Sequence, residues 1–222
     1  MKREIIITGD GSTTLQIKDW NEQYHSKHGA IQEAYHVFIQ NGFSLFGQND
    51  LAILEIGFGT GLNALITYLE GKKTEQKIQY TGVEKYPITH EEFHSLNFIS
   101  ELQCEAAAKD FLLMHEAPSE EEIAISENFQ LTKLQKDFRD LDFDNAFDLV
   151  YFDAFGARVQ PDLWTEAIFL SMFKALKSGG VLVTYAAKGS VRRAMQAVGF
   201  SVERLPGPPG KREMLRATKP IT

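Results

Sequence analysis

Leu51-Ala52-Ile53-Leu54-Glu55-Ile56-Gly57-Phe58-Gly59-Thr60-Gly61 decides how this chain folds. Six residues, apolar but for Glu55, read as a buried strand, and three glycines at alternate positions follow at once. Leu62, Leu65, Ile66 and Leu69 then repeat at helical spacing on one face. Strand, glycine turn and helix open a βαβ unit, and its second strand is Ile78–Val83, ending in Glu84.

The alternation continues outward. Residues 129–134, 147–152 and 181–185 read as strands, the first leading to Asp137 and the second ending at Asp153. Helical spacing covers most of 88–116, 163–176 after Pro161, and 191–197, with Ser178-Gly179-Gly180 as an expected helix stop. Pro118 to Glu122 reads as an acidic surface turn. Residues 200–205 and 212–218 flank Pro206-Gly207-Pro208-Pro209-Gly210 and are expected to pair antiparallel. The prediction is an α/β fold with a mostly parallel, Rossmann-like sheet of seven strands, right-handed crossovers and an antiparallel C-terminal hairpin. Towards the N-terminus, residues 3–8 and 13–17 alternate around Asp10-Gly11, a hairpin turn signal. A polar aromatic segment, Trp20 to His28, and a helix over 31–39 follow. Residues 1–45 are thus an N-terminal hairpin and lead-in, and residues 46–222 the main domain, together one structural unit.

The chain has 222 residues, 43% apolar and 24% charged, enough for a sizeable core without metal or disulfide staples. Its single cysteine, Cys104, excludes a disulfide framework or a thiolate zinc site and reads as packing. No apolar run approaches the roughly 18 residues of a membrane span, and the start lacks a secretory apolar region. The expectation is a cytoplasmic protein with no membrane partner. A net charge of −7 argues against a general nucleic-acid binder. Residues 174–216, however, hold nine basic residues against two acidic ones, which reads either as solvated faces or as a basic patch beside a site.

In open α/β sheets, ligands sit outside the carboxyl ends of the strands. The glycine turn, Glu84, Asp137 and Asp153 all fall there. Gly57-x-Gly59-x-Gly61 lacks the third-glycine spacing of a dinucleotide fingerprint, which speaks against an NAD oxidoreductase, and no Gly-Lys-Ser/Thr of a phosphate loop follows. Glycines let a ligand approach the backbone, and a carboxylate at Glu84 can accept both hydroxyls of a ribose. This combination suits S-adenosylmethionine, with Asp137 toward the adenine amino group. A tight turn without ligand, a solvated Glu84 or Asp137, and a capping role for Asp153 are the plainer alternatives. As a site residue, Asp153 can orient an acceptor amine and take its proton. His25, His28 and His36 share no metal-ligand spacing, and no serine sits in a G-x-S-x-G context.

Several blocks resemble the MnmC-type tRNA methyltransferases: Leu54 through Asn63, Glu84-Lys85-Tyr86-Pro87, Asp153-Ala154-Phe155 with Pro161-Asp162-Leu163-Trp164, and Val191-Arg192-Arg193 followed by Gly210-Lys211-Arg212-Glu213-Met214. Asp10-Gly11-Ser12 and Tyr24-His25-Ser26 are similar to that family's N-terminal stretch. The resemblance runs over nearly the whole chain. It implies a class I S-adenosylmethionine-dependent methyltransferase that methylates the 5-aminomethyl group of a wobble uridine, often 2-thiolated, in tRNA. It implies Asp153 as the catalytic residue. Glu55, Gly57, Phe58, Gly59, Thr60, Gly61, Asn63, Glu84, Lys85, Asp137 and Tyr24 would serve the cofactor. Phe155, Lys188, Arg192, Arg193, Lys211 and Arg212 would serve the tRNA anticodon stem-loop, with Tyr24, Phe155 or Trp164 stacking on a splayed base. Two-domain relatives carry an FAD-dependent oxidase; the sequence ends at Thr222, so that either a separate FAD-dependent oxidase supplies the aminomethyl substrate or the substrate differs. The alternatives are the same fold acting on another RNA or a small amine, and a non-catalytic nucleoside-binding module.

Overall fold

The computed structural model describes residues 2–221. Three N-terminal strands, β1 (Arg3–Ile7), β2 (Thr13–Ile17) and β3 (Glu22–Gln23), form a small antiparallel sheet. The expected hairpin is there, with Ile7 opposite Thr13, and the short third strand extends it. Gly11 sits at φ +88°, the left-handed turn position that glycine takes without strain. Asp10 closes the turn by accepting from the Ser12 amide at 3.2 Å and the Thr8 hydroxyl at 2.8 Å. Helix α1 (Ala30–Ala34) continues as a wider π-type spiral over Tyr35–Gln40.

The main sheet holds β4 (Leu51–Ile56), β5 (Ile78–Val83), β6 (Glu122–Ser126), β7 (Phe129–Leu134), β8 (Phe147–Phe152), β9 (Leu176–Thr184), β10 (Ser201–Pro206) and β11 (Glu213–Thr218). Their order is β10-β11-β9-β8-β4-β5-β7-β6. From β9 to β7 neighbouring strands are parallel, and β11, β10 and β6 join antiparallel. The sheet therefore has eight strands where the sequence predicts seven. The addition, β6, begins inside the segment read as an acidic turn. Its exposed Glu122 hides an alternation that buries Ile125 against the core, and pairing with β7 covers what would otherwise be an open edge.

Every residue of β4 is buried, as befits a strand covered on both faces. One layer of apolar side chains packs with α1, α2 (Leu62–Thr74) and α5 (Ala108–Glu116). The other packs with α6 (Glu166–Ala175) and α7 (Gly189–Ala197). The order of strands reverses at β4: β5 and β7 lie to one side, β8 and β9 to the other. That switch point opens a crevice at the strands' carboxyl ends.

Two helix predictions change. Residues 88–116 hold three short helices, α3 (His90–His94), α4 (Phe98–Glu101) and α5, numbered along the chain. The break falls at Asn97, whose side chain accepts from the Thr13 amide at 2.7 Å and donates to the Gly11 carbonyl at 2.9 Å, tying the small sheet down. The helix predicted over 163–176 ends at Ala175, and Ser178-Gly179-Gly180 lies within β9. Asn145 and Ala146 amides take the Lys174 and Ala175 carbonyls, and Lys219 carbonyl takes the Gly179 amide, so the chain extends at Leu176.

Candidate active site

The turn after β4 is stitched to its neighbours by backbone. The Gly57 and Phe58 amides both donate to the Val83 carbonyl at 3.0 Å, and the Asp153 amide donates to Ile56 at 2.9 Å. Gly57 has φ +91°, and a Cβ there would lie 2.7 Å from the Asp153 carbonyl oxygen. Only glycine lets the ends of β4 and β8 approach this closely. At Gly59, φ is +49° and a Cβ would meet the Tyr24 ring at 3.0 Å. The turn thus brings the end of β4 and the start of α2 to the crevice.

A cavity of about 500 Å³ lies over it. Tyr24, Gly57, Phe58, Gly59, Thr60, Asn63, Glu84, Lys85, Asp137, Asp153, Phe155 and Lys211 line this one space, and the glycine turn, Glu84, Asp137 and Asp153 meet there as the strand-end argument predicts. Glu84 accepts from the Gly59 amide at 3.1 Å and from the Tyr86 amide at 2.8 Å, one on each oxygen, and each keeps a lone pair for a ligand hydroxyl. Asn63 donates to Glu55 at 2.8 Å and to Asp153 at 2.9 Å, while its own carbonyl oxygen is buried without a partner.

Asp153 is pushed up to about 7 by burial and by the negative charge of Glu33, against the hydrogen bond from Asn63 and the charge of Lys211. It takes or gives a proton near neutrality. Glu55 does not line the cavity; it lies fully buried beneath, accepting from Tyr80 at 2.8 Å, and burial raises its carboxyl well above the ordinary range. Gly61 also lies outside the lining, where a Cβ would collide with His115.

The structure places other predicted residues differently. Asp137 pairs with Lys85 at 2.9 Å and Arg139 at 2.5 Å, and its carboxyl falls well below the usual range, mainly through the Arg139 bond. An adenine amino group meets this carboxylate only in competition with two cations. Trp164, 5% exposed, packs on Phe152 and donates to the Phe155 carbonyl at 2.8 Å; it is core rather than a stacking platform. Phe155 and Tyr24 meet edge-to-face at 5.0 Å on the cavity wall. Lys188, Arg192, Arg193 and Arg212 lie off the lining, and Lys211 turns inward to Glu33.

Sequence reasoning missed Glu33, Tyr185 and the part played by His25. Tyr185 follows β9 at the same sheet edge as Asp153, so the strand-end rule reaches it; nothing local marks Glu33. His25 is buried, its Nδ1 2.8 Å from the Thr14 hydroxyl and its Nε2 3.2 Å from that of Thr60, and burial pushes it down to about 4. A neutral imidazole therefore links the N-terminal sheet to the glycine turn. Among the described residues, no group of three histidine, cysteine or acidic residues is placed to hold a metal, and no helix is long and apolar enough to cross a membrane.

A family model described as S-adenosyl-L-methionine-dependent methyltransferase matches residues 101–220. The chain belongs to that family. Its cofactor is S-adenosylmethionine, and the cavity fits such a group: Asn63 leaves a buried acceptor unfilled beside the glycine turn, and Glu84 holds free lone pairs. The methyltransferase is 32% identical over 226 residues to the tRNA 5-methylaminomethyl-2-thiouridine biosynthesis bifunctional protein MnmC of Aromatoleum aromaticum, covering 96% of this chain and 34% of that protein. To the protein of the same name from Pseudomonas syringae pv. syringae it is 30% identical, over 97% of this chain and 34% of that one. It thus spans about a third of the length of these curated relatives. The crystal structure of MNMC2 from Aquifex aeolicus matches all of this chain and 71% of its own at a TM-score of 0.80 and 25% identity. Spermidine synthase from Thermotoga maritima, at 0.55 and 14% over 95% of this chain and 70% of its own, shares the fold alone.

Proposed function

We propose that this methyltransferase N-methylates the 5-aminomethyl group of a wobble uridine in tRNA, giving 5-methylaminomethyl-uridine. The observation that carries the reading is Asp153, a carboxylate of near-neutral proton affinity on the wall of the cofactor cavity. An alkylamine attacks only without its extra proton, and such a carboxylate accepts that proton where an ordinary, weakly basic one does not. The relatives named for biosynthesis of this nucleoside support the choice of acceptor. When bound, S-adenosylmethionine supplies a methyl on a sulfonium, whose C–S bond pair stays on sulfur as the amine nitrogen forms its new bond. Asp153 orients the nitrogen and takes its proton; Asn63 holds Asp153; the wall excludes water.

Glu84 holds the ribose hydroxyls in this reading. Glu84→Gln weakens S-adenosylmethionine binding roughly tenfold or more, since a charged acceptor of two hydrogen bonds is lost. Calorimetry checks this, and unchanged affinity removes the assignment. Tyr24 and Phe155 flank the splayed base, and Lys188, Arg192, Arg193 and Arg212 hold anticodon-stem phosphates. Residues 1–45 and 46–222 act as one unit, because the N-terminal part supplies Tyr24, His25 and Glu33 to the cavity. The reaction belongs to the cytoplasm, and a separate FAD-dependent oxidase furnishes the aminomethyl group.

The proton affinity of Asp153 gives a pH signature. The kcat/KM for tRNA rises with pH as Asp153 ionises through about 7 and levels above it. In Glu33→Gln the rise moves to lower pH, because the negative neighbour that disfavours ionisation is gone. A profile that is flat across this region contradicts the proton-accepting role. The substrate itself is tested by mass spectrometry of wobble nucleosides from a deletion strain. Accumulated 5-aminomethyl-uridine is the expected result; unchanged 5-methylaminomethyl-uridine overturns the reading.

A further inference from the structure

Lys211 sits in the loop between β10 and β11. Its ammonium nitrogen lies 2.5 Å from the Glu33 carboxylate and 3.8 Å from the centre of the Tyr185 ring. Glu33 is 7% exposed, and its other oxygen accepts the Ser26 amide at 3.0 Å. Tyr185 donates its hydroxyl to the Ala154 carbonyl at 2.8 Å, which couples this ring to the residue following Asp153. Carboxylate, aromatic face and ammonium all line the cofactor cavity. The charges of Glu33 and Lys211 are close enough to act on Asp153 in opposite senses.

A buried carboxylate beside an aromatic face is a seat for a cation. Lysine ends in a methylene and an ammonium, the same terminal chemistry as a protonated aminomethyl group. Two ammonium ions cannot share one carboxylate and one ring face without strong like-charge repulsion. The loop that carries Lys211 runs through Gly207-Pro208-Pro209-Gly210, beyond the last β10–β11 pair at Pro206 and Glu213, so the side chain can leave without breaking the sheet.

We propose that Lys211 occupies the seat of the acceptor amine, and that the substrate's aminomethyl cation displaces it from Glu33 and the Tyr185 face. This deepens the reading above and rests on it for an amine acceptor. The exchange of one cation for another makes the seat selective: a neutral 5-substituent such as a hydroxymethyl group brings no charge to replace the one that leaves, so Glu33 retains Lys211.

Lysine carrying ¹³C at the ε-carbon reports the seat directly, because a methylene over the Tyr185 ring resonates upfield of exposed lysines. Lys211→Met identifies the signal by its loss, with Lys211→Arg serving if the first variant does not fold. Methylammonium chloride, exchanged against sodium chloride at constant ionic strength, moves the signal toward the exposed value. The nucleoside 5-aminomethyluridine does the same, and 5-hydroxymethyluridine does not. Glu33→Gln removes the partner that holds either cation, so the Lys211 signal moves toward the exposed value before any amine is added, and a signal that stays upfield in this variant overturns the role of the carboxylate. A signal unmoved by either amine, or moved equally by the hydroxymethyl nucleoside, overturns the proposal. Methyl transfer to aminomethyl-bearing tRNA is measured alongside. Transfer with an unmoved signal sinks the seat alone, and a moving signal without transfer sinks the tRNA reading alone.

Discussion

Asp153→Asn lowers methyl transfer by roughly 100- to 10,000-fold, the range spanned by loss of a positioned proton acceptor. Affinity for S-adenosylmethionine stays within a few fold. The substitution is nearly isosteric and keeps an oxygen for the Asn63 side chain, which donates at 2.9 Å, while the backbone bond from residue 153 to Ile56 is untouched. What disappears is a group whose proton affinity burial places near neutrality. Single-turnover transfer to aminomethyl-bearing tRNA gives the rate, and calorimetry gives the cofactor affinity. A variant that keeps more than about a tenth of the rate shows that the amine loses its proton elsewhere, since the smallest effect of such a catalyst is larger.

Gly57→Ala acts on stability and activity together. The new methyl lies 2.7 Å from the Asp153 carbonyl oxygen, and φ +91° is hard for any side chain to adopt. Strain and overpacking together cost about 2–5 kcal/mol. Neither strand end can yield cheaply, because each is held by central, parallel neighbours. The separation that relieves the clash moves Asp153 away from the glycine turn, so turnover falls further than the folded fraction does. Thermal melting and transfer rates normalised to folded protein check this. A variant as stable as the wild type shows that the two strand ends tolerate separation.

The central strands were legible because burial on both faces leaves a run of apolar residues that no solvated element imitates. Glu84 and Asp153 were legible for a related reason: a polar group at the end of such a run has to face the crevice. β6 was not, since half of an edge strand is solvated and its acidic face imitates a turn. The end of α6 was missed because Gly179 and Gly180 are local stop signals, whereas the actual stop is set by residues 145, 146 and 219. The arrangement of Glu33 with Lys211 joins positions 178 apart, a distance across which no periodicity carries information. In the basic C-terminal segment, charge counts do not show that Lys211 turns inward, that Arg216 pairs with Glu203 or that Arg204 pairs with Glu213.

The N-terminal sheet forms a wall of the cavity, and Lys211 reaches it from the far end of the sequence. During synthesis, Tyr24, His25 and Glu33 leave the ribosome long before the loop after β10 exists. The nascent polypeptide must keep Glu33, destined for burial beside a cation, hydrated or protonated until β10 and β11 arrive, since an unpaired buried charge is costly. Competence for chemistry is therefore acquired only once β10, β11 and the loop between them have been made, and a shorter nascent chain has no assembled pocket with which to transfer a methyl group.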